Sequence, residues 1–91
     1  MNLNHKIQFP DTIFAQEVDG EMVLLDMASE NYFGLDAVGS DIWQLLQEGK
    51  TLQEANDALI EMYDVSPEQL KIDIVEFVQK LIDAGLVQVQ A

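Results

Sequence analysis

The spacing of apolar residues changes once along this 91-residue chain, at Asp36. Before Asp36, apolar residues alternate with polar ones or form short runs, which is typical of β-strands. After Asp36 they recur about every 3.6 residues, which is typical of helices. Strands followed by helices predict an α+β fold, and the length fits one packed core. We divide the chain into a leading segment, residues 1–12, and a main domain, residues 13–91.

A hairpin is predicted around Asp19-Gly20, because this dipeptide tolerates the positive φ angles of a two-residue turn. Its strands would cover residues 13–18 and 22–27. The second of these strands is apolar on both faces, so we expect it to be covered on both sides or nearly so.

A third strand is predicted over residues 31–35, after a turn over residues 28–31 in which Asn31 is able to adopt the left-handed conformation. Alternating residues before Pro10 also permit a short strand in the leading segment.

Three helices are indicated by their end signals. The first runs from Ala37 to about Gln47, the second opens after Thr51 and has Leu52 and Met62 on one face, and the third runs from Pro67 to Ala84. The signals are the N-caps Asp36, Thr51 and Ser66 and the terminating glycines Gly49 and Gly85.

The third helix has one sector of core residues, namely Leu70, Ile74, Phe77 and Leu81. At about 100° per residue, one flank extends this apolar surface and carries Lys71, Val75, Val78 and Ile82. The opposite flank is polar and carries Asp73, Glu76, Lys80 and Asp83. The apolar flank is either covered by the sheet or the C-terminal tail, or it forms half of a groove.

Charge excludes most nucleic-acid roles, since the chain has 17 acidic residues, four lysines, no arginine and a net charge of −13. The negative net charge either serves solubility alone or indicates that the protein binds a basic partner. The absence of cysteine excludes disulfides and thiolate chemistry and suits the cytoplasm. No stretch resembles an export signal or a membrane span.

No catalytic, metal or cofactor site is predicted, so we do not expect an enzyme. His5 has no partner at metal-ligand spacing, and the carboxylates Glu54, Asp57 and Glu61 share a solvated helix face. The serines Ser29, Ser40 and Ser66 fit turns, helix starts and caps.

The third strand offers an edge for binding, because it ends the meander and one side of its backbone is expected to lack a partner. Such an edge accepts a peptide as an extra strand. Alternation assigns Phe33 and Leu35 to the core face and Tyr32 and Gly34 to the open face.

Several motifs appear in a fixed order: Gly20-Glu21-x-Val23-Leu24-Leu25-Asp26, Tyr32-Phe33-Gly34-Leu35, Val38-Gly39-x-x-Ile42-Trp43-x-Leu45-Leu46, Gly49-x-Thr51, and Asp73-x-x-x-Phe77-x-x-x-Leu81-x-x-x-Gly85-Leu86. Together they resemble the PqqD-like family, the recognition element of ribosomally made, modified peptides. The sequence is more similar to the stand-alone leader-binding proteins of lasso peptide clusters than to PqqD of cofactor biosynthesis.

The resemblance implies a winged-helix-like fold, with an N-terminal three-stranded antiparallel sheet followed by three helices. It also implies that the leader of a precursor peptide adds antiparallel to the third strand, in the cleft beside the third helix. The implied peptide-binding residues are Glu30, Asn31, Tyr32, Phe33, Gly34, Leu35, Lys71, Val75, Val78 and Ile82. Asp73 matches a family position on the polar flank, and Asn31 stands where relatives often have glycine.

The implied partners are the leader peptide and a leader peptidase or other modifying enzyme. The resemblance also leaves a PqqD-type peptide chaperone for a radical SAM enzyme as an alternative. A winged-helix transcription factor conflicts with the charge. The class of acidic carrier proteins is also disfavoured, because this chain lacks their Asp-Ser-Leu attachment motif. Ser40 lies between Gly39 and Asp41 instead.

Overall fold

Two small antiparallel sheets and three helices form the fold of residues 3–90. The computed structural model describes residues 3–90, so predictions that include residues 1, 2 and 91 lie in part outside it. The elements are β1 Lys6–Gln8, β2 Ile13–Val18, β3 Glu21–Asp26, β4 Asn31–Gly34, α1 Ala37–Gln47, α2 Leu52–Met62, α3 Pro67–Asp83 and β5 Gln88–Gln90. The predicted α+β class is confirmed, because a three-stranded antiparallel sheet precedes the three helices.

The predicted hairpin is confirmed. β2 pairs antiparallel with β3 around a turn in which Asp19 has a φ of 54° and Gly20 a φ of 85°. Two consecutive positive φ angles give the turn a twist that matches the flanking strands, so the register of the hairpin is fixed locally.

The turn between β3 and β4 differs from its prediction, because the left-handed residue is Glu30 (φ 63°) and not Asn31. Asn31 already belongs to β4 and pairs with Asp26. The Asp26 carboxylate accepts bonds from the Ala28 N–H and the Ser29 hydroxyl, both at 3.0 Å, and the Asp26 carbonyl accepts the Glu30 N–H at 2.7 Å. These bonds close the turn one residue earlier than predicted.

The described part of the leading segment, residues 3–12, packs against the same core as the helices and the larger sheet. β1 pairs antiparallel with β5, which places Ile7 opposite Val89 and leaves Ile7 buried. The carbonyl of Leu3 also accepts the Gln53 N–H at 2.8 Å. The sequence indicated a short strand here but not its partner, which lies about 80 residues further along the chain.

The core lies between the inner face of the β2–β3–β4 sheet and the helices. It contains Leu24 of β3, Trp43 of α1, Leu59 of α2 and Ile74 of α3, all at most 1% exposed. The Trp43 ring packs edge-on against Phe9, with 4.8 Å between the ring centres.

The outer face of the sheet is open, so the expectation that β3 is covered on both sides or nearly so was wrong for that face. Leu25 and Val23 are only half-buried there, and Leu25 lies between Phe14 and Tyr32, which are 63% and 71% exposed. The apolar pattern of β3 arises because its outer side chains pack against neighbours on the same face of the sheet rather than under a helix.

Helix ends follow the predicted signals. Thr51 and Glu54 form a complete capping box at the start of α2. At the end of α3 the Leu86 N–H bonds the Leu81 carbonyl and the Gly85 N–H bonds the Ile82 carbonyl, which is a Schellman closure. This closure directs Leu86 back into the core, where it is fully buried.

None of the helices in the described part of the chain is long and apolar enough to cross a membrane.

Candidate functional site

The outer edge of β4 carries backbone groups that no other strand pairs with in residues 3–90. The Leu35 N–H donates to the Met22 carbonyl at 2.8 Å, so Leu35 faces β3. Backbone direction alternates along an antiparallel strand. The N–H and C=O groups of Tyr32 and Gly34 therefore point away from β3, towards the free edge.

A cavity of about 430 Å³ separates this edge from α3. Its strand wall is formed by Phe33, Gly34, Leu35 and Asp36. Its helix wall is formed by Phe77, Lys80, Leu81 and Ala84, and Leu86 completes the lining. We call this space the β4–α3 groove. Most of its lining is apolar, which suits the side chains of an extended peptide.

A smaller cavity of about 310 Å³ adjoins the groove and shares Asp36 and Phe77 with it. Gly39 of α1 lies against the Phe77 ring, since a Cβ atom at Gly39 would come within 3.0 Å of Phe77 Cε1. Glycine at this position therefore allows the Phe77 ring to approach α1 closely, and the ring lines both cavities.

The Ser40 hydroxyl connects α1 to the end of the sheet beside the groove. It accepts the Met22 N–H at 2.8 Å and donates to the Leu35 carbonyl at 3.4 Å, and the side chain is 3% exposed. The hydroxyl thus bridges β3 to the residue that follows β4. The sequence explained Ser40 only as part of a helix start, because its main partner is 18 positions away and leaves no local pattern.

The predicted strand residues lie at the groove or next to it. Phe33, Gly34 and Leu35 line it, whereas Tyr32 is on the outer face of the sheet. Glu30 and Tyr32 border a shallow depression on that outer face, and Asn31 begins β4 and is exposed.

The predicted helix residues do not line the groove. Val78 is fully buried in the core, Val75 and Ile82 are half-buried, and Lys71 is exposed. At about 100° per residue these four side chains lie roughly 100–160° around α3 from Phe77. The structure thus answers the choice left open for Val78 and Ile82, since both belong to the packed core or its margin.

The helix wall of the groove lies instead at the edge between the core sector and the polar flank. Sequence reasoning assigned Phe77 and Leu81 to the core and Lys80 to a solvated flank, and it did not consider Ala84. The sequence contained only a weak indication of this wall. A long charged residue such as Lys80 and a small residue such as Ala84 near an aromatic residue also occur on helix surfaces that bind nothing. Asp73 lines the smaller cavity.

Two pKa values are shifted by contacts at helix ends. The Thr51 backbone and hydroxyl bonds lower the pKa of Glu54, and the Asp41 carboxylate, which accepts the Tyr63 hydroxyl, raises the pKa of Tyr63. Neither residue lines the groove. Residues 3–90 also bring together no group of three or more His, Asp or Glu side chains that could bind a metal ion.

The model of one protein family, described as "Coenzyme PQQ synthesis protein D (PqqD)", matches residues 21–87. No curated protein matches the chain significantly.

Two solved structures share the fold over most of the chain. One is described as TbiB1 in complex with the TbiA(beta) leader peptide; it is 38% identical, with a TM-score of 0.87, and the match covers 92% of this chain and 98% of that one. The other is described as lasso peptide synthetase B1 complexed with the leader peptide; it is 26% identical, with a TM-score of 0.86, and the match covers 91% of this chain and 98% of that one. The motifs, the fold and these similarities agree that the chain belongs to the PqqD-like family of peptide-recognition elements.

Proposed function

We propose that this chain is a non-catalytic protein that binds the leader of a ribosomally made precursor peptide and presents the precursor to an enzyme of the same pathway. The observation that carries the proposal is the free edge of β4 beside the apolar β4–α3 groove. The similarity to two proteins in complex with leader peptides supports it. Ribosomes synthesise the precursor in the cytoplasm. The proposal therefore implies that this protein binds the leader in the cytoplasm.

The proposed mode of binding is strand addition, with the leader antiparallel to β4. The outward N–H and C=O groups of Tyr32 and Gly34 would bond the leader backbone and set its register. Alternate leader side chains would then enter the groove between Phe33 and Phe77. The whole segment from Glu30 to Leu35 remains the proposed strand contact.

The energetics of this mode favour a few dominant contacts. Ordering a disordered leader costs roughly 2–5 kcal/mol, which the groove must offset. Well-buried anchors supply most of the affinity in such interfaces. Once bound, the leader would raise the local concentration of its attached core peptide at a partner enzyme, up to about the millimolar range for a short flexible tether. The proposed partner is a leader peptidase of a lasso-type pathway.

The proposed binding site is tested by a substitution that places a large side chain in the β4–α3 groove. Fluorescently labelled TbiA(beta) leader, and the leader of the precursor encoded beside this protein's gene, are titrated with the protein and followed by anisotropy. Ala84 is exposed and lines the groove, so Ala84→Trp should weaken binding at least tenfold without disturbing the core. Ile72→Trp is the matched control, because Ile72 is 52% exposed on the same helix and does not line the groove. Equal affinities for the two variants would contradict the proposed site.

The earlier prediction for the other flank of α3 is tested in the same titration. Val75→Asp places a charge among Lys71, Val75, Val78 and Ile82, the residues first expected to form the helix wall. We expect binding to survive Val75→Asp. Loss of binding in Val75→Asp together with full binding in Ala84→Trp would place the leader on that flank instead.

Strand addition makes a separate prediction for backbone amides. On addition of leader, hydrogen exchange at Tyr32 and Gly34 should slow markedly, since these N–H groups gain a partner. The amide of Leu35 already donates to Met22 and should change little. Protection that appears along β2 instead would assign the peptide to the opposite edge of the sheet.

A further inference from the structure

Lys80 has a position that distinguishes it from the other lysines. The chain contains four lysines, Lys6, Lys50, Lys71 and Lys80, and of these only Lys80 lines the β4–α3 groove. It lies on the helix wall between Phe77 and Ala84, in the last part of α3. A cation is thus placed on the wall of a mainly apolar groove, in a chain whose net charge is −13.

The charge of Lys80 is available to a ligand. Within residues 3–90, its ammonium group makes no ion pair. The other charged residue of the lining, Asp36, uses one carboxylate oxygen to accept the Gly39 N–H at 2.7 Å, as the N-cap of α1. An acidic residue of a bound peptide would therefore find at Lys80 a cation without a competing intramolecular partner.

We propose that Lys80 is a specificity-determining residue of the groove, which selects peptides that carry an Asp or Glu side chain opposite it. This inference rests on the proposed peptide-binding function. The negative field of the chain repels acidic side chains over most of its surface. An acidic residue in the peptide is therefore accepted at Lys80 and disfavoured elsewhere, so one lysine sets both the identity and the register of the bound segment.

The strand geometry restricts where in the peptide this acidic residue lies. Side chains of an extended peptide alternate between the two faces, so those that enter the groove are two residues apart. The acidic residue is consequently separated by an even number of positions from the apolar residues that contact Phe33 and Phe77. Side chains at odd separations point to the outer face, towards Tyr32.

A charge scan tests the proposal. A synthetic TbiA(beta) leader peptide is prepared as a set in which each position in turn carries Glu or Lys, and the dissociation constants are measured for each pair. On the unaltered protein, one groove-facing position should prefer Glu over Lys by about 5- to 20-fold, the range expected for a partly desolvated pair compared with a like-charge pair. In Lys80→Glu the preference at that position should reverse, and other positions should keep theirs.

Lys71→Glu is the matched control. It changes the net charge by the same amount on the same helix, but Lys71 does not line the groove. The preference should persist in Lys71→Glu and should decrease as the salt concentration rises.

The possible outcomes separate the two proposals. If neither this set nor the leader encoded beside this protein's gene binds the unaltered protein, the proposed function fails and the role of Lys80 fails with it. If peptides bind but no position prefers Glu, or if Lys71→Glu reverses the preference as Lys80→Glu does, only the role of Lys80 is overturned. Lys80 would then stabilise α3 by its favourable interaction with the negative, C-terminal end of the helix dipole.

Discussion

Removal of the Ser40 hydroxyl tests how the sheet is joined to α1 beside the groove. In Ser40→Ala the Met22 N–H loses its bond at 2.8 Å and remains in a site where Met22 is 7% exposed. The bond to the Leu35 carbonyl is also lost, but at 3.4 Å it is long and contributes little. The variant therefore leaves one buried donor without a partner.

The expected cost follows from that donor. A buried N–H without an acceptor destabilises a protein by about 1–3 kcal/mol. Movement of β3 towards Leu35 would recover part of this by forming a direct bond, so we expect about 1–2 kcal/mol. For a domain of this size, that corresponds to a fall in the melting temperature of about 5–15 °C.

The assay uses the fluorescence of Trp43, which is the only tryptophan and is 1% exposed. Urea unfolding of Ser40→Ala is compared with Ser29→Ala, in which an exposed hydroxyl loses its bond to Asp26. We expect Ser29→Ala to change stability by less than about 0.5 kcal/mol. A Ser40→Ala variant as stable as Ser29→Ala would refute the view that this hydroxyl supports the junction.

Three further predictions use the same unfolding assay or a pH titration. Asn56 is 1% exposed and its amide has no hydrogen-bond partner within the described residues, so Asn56→Leu should raise stability by about 1 kcal/mol or more; a loss would indicate that a buried water bonds the amide. The Thr51 bonds lower the pKa of Glu54 below its ordinary value of 4.5, so the ionised cap contributes fully above about pH 4.5 and its contribution is lost as the pH falls through the lowered pKa of the folded state. Thr51→Ala removes the hydroxyl and keeps the Thr51 backbone N–H, which is the larger cause of the shift, so the Glu54 titration midpoint measured by NMR should rise only part of the way to its ordinary value. An unchanged midpoint would contradict a contribution from the hydroxyl. Gly20→Ala should destabilise the β2–β3 turn by about 1 kcal/mol because Gly20 has a φ of 85°, whereas Gly34→Ala, with no atom within 4 Å of the added Cβ and no positive φ, should be nearly neutral.

Features that depend on a few neighbouring residues could be predicted from the sequence. The Asp19-Gly20 turn, the Thr51 capping box and the glycine closure after α3 are decided by local backbone preferences and local hydrogen bonds, and the structure contains all three. The shift of the left-handed residue from Asn31 to Glu30 shows where this approach fails. The Asp26 carboxylate accepts the Ala28 N–H and the Ser29 hydroxyl, and the positive φ falls on Glu30, four positions after Asp26.

Features that depend on contacts between distant residues could be predicted only in part. A helical wheel correctly identified a wide apolar arc on α3, but it does not specify which neighbouring element covers each part of the arc. Val78 is covered in the core, whereas Phe77 remains half-buried at the groove. Of the six strand residues predicted to bind the peptide, Phe33, Gly34 and Leu35 line the groove, whereas for the helix wall only the element was predicted.

The pairing of β1 with β5 also makes the two ends of the described chain a single cooperative unit. Lys6–Gln8 and Gln88–Gln90 supply each other's backbone partners, so fraying at one end exposes amides at the other. Closing a loop of this length carries a large entropic cost, which local contacts do not repay, and pairing of this ribbon is therefore expected late in folding. Amide exchange in the two strands should be correlated, and a tag or fusion that strains either end would loosen both Ile7 and Val87, on opposite sides of the sequence but in one core.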